Sequence, residues 1–289
     1  MSFEQFLETA WTDHADNPQE VADRLAASFD VITAPEQIAP FAQLLVHVHG
    51  EHLGQWQAGA EVLNALRSVP AFDANPAAAA ALDCGVAALQ YAGGNVDALE
   101  RLALEGKVQA LATAASALAG REDLVGALAA YSLALHLAGD TLPDASPAIR
   151  ALAVGGNNLA VVLEGKKDRS AAETHGMIAA ARGGLKYWKL AGTWLEQERA
   201  EYRLARSLIQ TGQAEAAIAC ARRCVETCTL NAAPAFEKFF GFAVLALARR
   251  AAGDLVEFEA ARTTALTWYE QVPDEDKAWC ESDLRELKG

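Results

Sequence analysis

The feature that most constrains this chain is a recurring unit: an Ala-containing helical stretch ends at Gly or a polar turn, and a second stretch follows with small residues spaced four apart. The clearest copy is EYRLARSLIQTGQAEAAIACARRCVE, with Leu204, Ala205 and Leu208 on the first stretch, Gly212 at the turn, and Ala217, Ala221 and Cys224 on the second. A second copy carries Ala246, Gly253, Phe258 and Ala265, a third surrounds Ala160, and weaker copies turn at Gly54, Gly94 and Gly120. Ala160, Ala205 and Ala246 stand 45 and 41 residues apart. Antiparallel helices approach closely only where small side chains sit at their crossing, and Gly supplies the left-handed conformation that ends the first helix. The repeating unit is therefore a helix hairpin.

Composition supports helix throughout. Ala accounts for 64 of 289 residues, against 9 Pro and 7% aromatics, a balance that favours helix and starves a sheet. The fold class read from this is all-α, a solenoid of antiparallel hairpins. Pro18, Pro35, Pro76, Pro143, Pro147, Pro234 and Pro273 fall where helices or loops should begin, since Pro fits a first helical turn. The hairpins are expected over roughly 3–29, 35–69, 76–105, 107–139, 147–190, 193–229 and 235–271, with an acidic helix at 274–287 capping the stack. Together they make one domain over 1–289.

Within these units, Ala at the eighth position, Gly at the fifteenth and small residues near the twentieth and twenty-seventh resemble the tetratricopeptide repeat, best over 150–271. Asn157-Asn158-Leu159-Ala160 is similar to the long-helix variety found in kinesin light chains and bacterial peptide-sensing regulators. The resemblance implies a right-handed superhelix whose first helices line a concave groove, with peptide or protein binding as its job and no enzyme activity. In that register Asn157, Asn158, Val161 and Glu164 of one repeat and Arg199, Tyr202, Arg203, Arg206 and Ile209 of the next point into the groove.

Charge sharpens the choice of ligand. A net charge of −14 opposes nucleic acid and anionic membrane surfaces. Yet residues 182–206 hold six basic side chains (Arg182, Lys186, Lys189, Arg199, Arg203, Arg206) against Glu196, Glu198 and Glu201. Arg199, Arg203 and Arg206 share one helical face, where like charges repel by about 0.2–0.5 kcal/mol per pair. A bound carboxylate would compensate them, because the planar guanidinium fork matches it bidentately. Asn158 followed by Arg199 and Arg203 is similar to part of the two-carboxylate clamp by which some tetratricopeptide domains hold an acidic C-terminus. The alternative is that Glu196, Glu201 and acids of neighbouring helices satisfy the arginines as a solvated ion-pair face.

Other groups point to packing. His47, His49 and His52 are the densest histidines; on an α-helix His47 aligns with Glu51 and His49 with His52, two faces instead of one tetrahedral cluster, so no metal site is assigned. Cys220, Cys224 and Cys228 form one stripe that reads as core. Tyr187, Trp188 and Trp194 read as packing at a helix junction. Five cysteines in a long chain are expected to be reduced thiols, and an acidic start, MSFEQFLETAWTDHAD, lacks the order of a signal peptide; a cytoplasmic location is expected.

The leading functional expectation is an interaction module or scaffold that binds a protein or peptide with an acidic or carboxylate-terminated segment through Asn157, Asn158, Arg199, Tyr202, Arg203 and Arg206. It carries no cofactor and no catalytic residue, and self-association through an apolar edge is a further possibility. The alternative is a helical small-molecule- or metal-binding protein, or an enzyme, with a pocket inside the superhelix.

Overall fold

The structure is a computed structural model that describes residues 1–72, 75–140 and 142–289. Among the described residues it contains fourteen α-helices and no strand. The chain divides into two compact units, Met1–Gly155 and Gly156–Gly289.

In the first unit α1 (Phe3–Asp13) opens with a capping box, the Ser2 hydroxyl accepting from the Gln5 amide while the Gln5 side chain accepts from the Ser2 amide. α2 (Pro18–Ala27) has Pro at its first position. α3 (Ile38–His47) runs directly into a π-helical segment, Val48–Leu53, and α4 (Trp56–Ala65) follows. Gly54 ends the π-helical segment with φ +63°, a conformation that a side chain disfavours. Phe6, Leu25, Ile38, Phe41, Leu44, Leu45, Leu63 and Leu82 form the core that these elements share with α5 (Pro76–Ala92). The hairpin expected over 76–105 is one helix, α5, followed by a 3-10 turn at Val96–Leu99. That second stretch, Gly93 to Leu102, has Gly-Gly-Asn at its start and too few residues before the next helix to make more than a turn.

α6 (Leu104–Gly120) and α7 (Leu124–Ala138) form a tight hairpin with ten buried residues on α6, six of them Ala. The turn expected at Gly120 is displaced. Gly120 remains helical, and Glu122, with φ +63°, takes the left-handed position. The physical reason for the glycine lies across the core: a Cβ at 120 would stand 2.8 Å from the Glu51 carbonyl oxygen of the π-helical segment. The first turns of α8 (Pro147–Gly165) close this unit, with the Tyr131 hydroxyl donating to the Leu152 carbonyl at 2.7 Å.

The second unit follows the expected hairpins closely. α9 (Ala171–Ala191) and α10 (Trp194–Gln210) each begin with a Ser or Thr capping box. α10 pairs with α11 (Ala214–Leu230) across Gly212, and α12 (Ala235–Ala251) pairs with α13 (Leu255–Tyr269) across Gly253. Both glycines have positive φ. First helices also touch first helices, α10 against α12. The last helix, α14 (Lys277–Lys288), buries Cys280 and Leu287 and packs the half-buried Leu284 against the cluster of Phe239, Leu247 and Phe258. Burial of Leu287 alone contributes about 1.5–3 kcal/mol. Among the described residues no helix is long and apolar enough to cross a membrane.

Candidate functional site

The register read from sequence places Arg199, Tyr202, Arg203 and Arg206 on one face of α10, and the second unit bears this face. Each polar group on it has a partner from another helix. Arg203 donates to Glu164 of α8 at 2.5 Å, and Ser207 donates to the other oxygen of the same carboxylate at 2.6 Å. Arg199 donates to Glu237 of α12 at 2.7 Å. Arg206 forks onto Glu286 of α14 and lies 3.7 Å from Asp283. The Tyr202 hydroxyl donates to Asp283 at 2.7 Å.

The acids that meet the arginines are thus Glu164, Glu237, Asp283 and Glu286. Glu201, expected among them, pairs with Arg223 and Lys189 instead. Glu196 caps α10 by accepting from Thr193. The reason is helical phase: Glu201 is buried on the side of α10 that packs on α11, away from the arginine face. Sequence alone offered no way to find Asp283 and Glu286, which lie about eighty positions away in the chain. Accessibility differs along the face, the Arg199 side chain being 55% exposed, Arg203 23% and Arg206 15%. Arg199 is the guanidinium most open to solvent; Glu164 partly covers Arg203, and α14 partly covers Arg206.

Asn157 and Asn158 lie on α8, two turns before Glu164. Asn158 is exposed, and the buried Oδ1 of Asn157 has no hydrogen-bond partner. Beneath the face, Glu198 is buried with one carboxylate oxygen unpartnered. Burial, helped by Glu237, pushes its pKa up to about 7, with Arg199, Cys224 and Cys228 pulling the other way. Cys220, Cys224 and Cys228 are buried along α11, as core thiols are. Tyr187 and Trp188 are buried as well.

The first unit holds a second arrangement. The π-helical segment carries His52, the end of α3 carries His47, and the C-terminal residue beyond α1 is His14. One ring nitrogen from each lies within 4.8 Å of the other two. His14 is a residue that sequence reasoning missed, because nothing local marks it; it arrives through the packing of α1. His49 goes elsewhere, buried and bonded through Nδ1 to Gln55 at 3.2 Å. The expected α-helical phasing of His47, His49 and His52 fails because a π-helix, with its wider turn, brings residues i and i+5 onto one side.

No protein-family model matches the chain. No curated protein matches it. Among solved structures the chain is similar to the crystal structure of BtubC (BKLC) from P. vanneervenii, with TM-score 0.50 and 14% identity over 93% of this chain and 91% of that one. An identity this low speaks for the fold alone.

Proposed function

We propose that this chain is an interaction module of the tetratricopeptide-like solenoid kind, binding a protein or peptide segment rich in carboxylates on the α10 face of its second unit. The successive hairpins α10/α11 and α12/α13, with first helix against first helix, support the solenoid reading. The observation that carries the binding reading is the engagement of α14: carboxylates presented from a separate helix, Asp283 and Glu286, sit on Tyr202 and Arg206. That is the chemistry an acidic ligand would use, displayed within the chain. Arg199, half exposed and held by a single bond to Glu237, is the entry point. A reduced intracellular compartment suits the buried free thiols.

The test is titration of fluorescent acidic peptides, among them one spanning residues 277–289, into wild type and Arg199→Ala at low and high salt. Binding should weaken by about 1.5–3 kcal/mol in the variant, the range for charge-assisted hydrogen bonds, and fade as salt screens the exposed pair. Equal binding by both proteins at low salt, or no binding by either, would overturn the reading.

A further inference from the structure

We propose that His14, His47 and His52 form a three-imidazole site for a zinc-class divalent ion, with water as the fourth ligand. The site lies in the first unit and is independent of the α10 face.

Distance is the first argument. The Nε2 atoms of His47 and His52 are 3.2 Å apart. Two nitrogens each 2.0–2.1 Å from a tetrahedral ion stand about 3.3 Å from each other, so this pair already spans one edge of a zinc tetrahedron. The third ring closes on both, with centroids 4.8 Å from His47 and 4.9 Å from His52. One ring nitrogen from each of the three lies within 4.8 Å of the other two, so the third ligand already stands beside the pair.

Proton bookkeeping is the second. The His47 Nδ1–H donates to the Glu51 carboxylate at 3.1 Å, and the His14 Nδ1–H donates to the Trp11 carbonyl at 2.6 Å. Each outer bond fixes the tautomer, leaving a lone pair on Nε2 of both rings. A proton on His52 Nε2 satisfies the His47 lone pair and leaves that of His14 with no donor from the other two rings. A cation satisfies all three at once. Carboxylate or carbonyl on the far nitrogen is also the outer shell that metal-ligating histidines ordinarily carry.

Rigidity is the third. The Arg121 guanidinium donates to the His52 carbonyl at 2.8 Å, and Gly120 and Gly50 let α6 pack against the π-helical backbone with no room for a Cβ at 120. This clamp holds the segment that brings His52 beside His47. Three imidazole nitrogens as the donor set select zinc, cobalt, nickel or copper over magnesium or calcium.

Untagged full-length protein, stripped with chelator, is to be dialysed against zinc chloride or cobalt chloride and its metal counted by plasma mass spectrometry. One ion per chain is expected, with the intense visible bands of tetrahedral cobalt. His14→Ala and His52→Ala should each remove those bands and weaken binding by at least about 100-fold, Glu51→Gln should weaken it about 10–100-fold, and His175→Ala, on exposed α9 surface, should leave it unchanged. Circular dichroism establishes that each variant is folded; His52→Gln replaces any that is not. Less than about a tenth of an ion per wild-type chain, or wild-type binding by His14→Ala, would overturn the three-histidine assignment.

Discussion

The Arg206 guanidinium donates two hydrogen bonds to the Glu286 carboxylate, at 2.6 and 3.1 Å, and so ties the last helix of the chain to α10. Around it Tyr202 holds Asp283, and the Arg250 guanidinium donates to the Glu286 carbonyl. α14 is thereby fixed by polar bonds on one side and by Leu284 and Leu287 on the other. Its Asp283 and Glu286 occupy the arginine face at Tyr202 and Arg206.

Arg206→Ala is expected to destabilise the protein by about 3 kcal/mol, the lower end of the cost of stripping one partner from a buried ion pair, because Asp283 stays buried without its cation. Glu286→Gln should cost less than about 1 kcal/mol, since that carboxylate is 41% exposed and water replaces the lost charge pairing. Urea denaturation of the two variants checks the asymmetry. Equal losses would mean that Asp283 does not depend on Arg206.

Glu198 gives a pH prediction of definite sign. Its folded-state pKa, pushed up to about 7 by burial, lies above its unfolded value, so between the two the native state holds the extra proton. Stability from this group is present at low pH and is lost as pH rises through about 7, by on the order of 3 kcal/mol. The groups facing it are Glu237, Arg199, Cys224 and Cys228. Glu198→Gln should flatten this slope, measured as the wild-type minus variant difference in unfolding free energy from pH 5 to 8. A difference that does not change with pH would show that Glu198 ionises normally.

All five thiols are buried. Burial pushes Cys220 up to about 11 and Cys228 up to about 12, so neither carries appreciable thiolate near neutrality. Native protein treated with a bulky disulfide reagent at pH 8 should label on the timescale of unfolding, whereas denatured protein labels at once. Fast native labelling of Cys220, Cys224 or Cys228 would place α11 outside the packed interior.

Gly120→Ala tests the clamp on the histidine segment. Ala favours helix over Gly by about 1 kcal/mol, but the new Cβ would stand 2.8 Å from the Glu51 carbonyl oxygen, and overpacking against backbone costs typically 1–3 kcal/mol. A net loss of stability is expected, with weaker zinc binding because Glu51 and His52 must shift. A more stable variant with unchanged zinc affinity would remove the clamp from the account.

The second-unit hairpins were legible because their cues are local. Gly212 and Gly253 sit at turns with positive φ, and Ala217, Ala221 and Ala265 occupy crossings, all signals spanning a few residues. Over 76–105 the same reasoning failed. Ala-rich sequence favours helix, but the stretch around Val96 is too short and too interrupted to nucleate one. Gly120 misled for a related reason: its need for smallness came from Glu51, not from a turn.

By itself, then, the amino-acid sequence determined that the chain is all-helical, where the second-unit hairpins turn, and that Arg199, Arg203 and Arg206 share a face. Those properties depend on backbone conformations and side chains within a turn or two of each other. Tertiary structure decided what answers that face: Glu164, Glu237, Asp283 and Glu286 arrive from three other helices, and helical phase turns Glu201 away. It also decided which histidines meet. A π-helical turn changes the phase between His47 and His52, and α1 delivers His14 from more than thirty residues away. Contacts of that range depend on how whole helices pack, and no pattern of neighbouring residues encodes them.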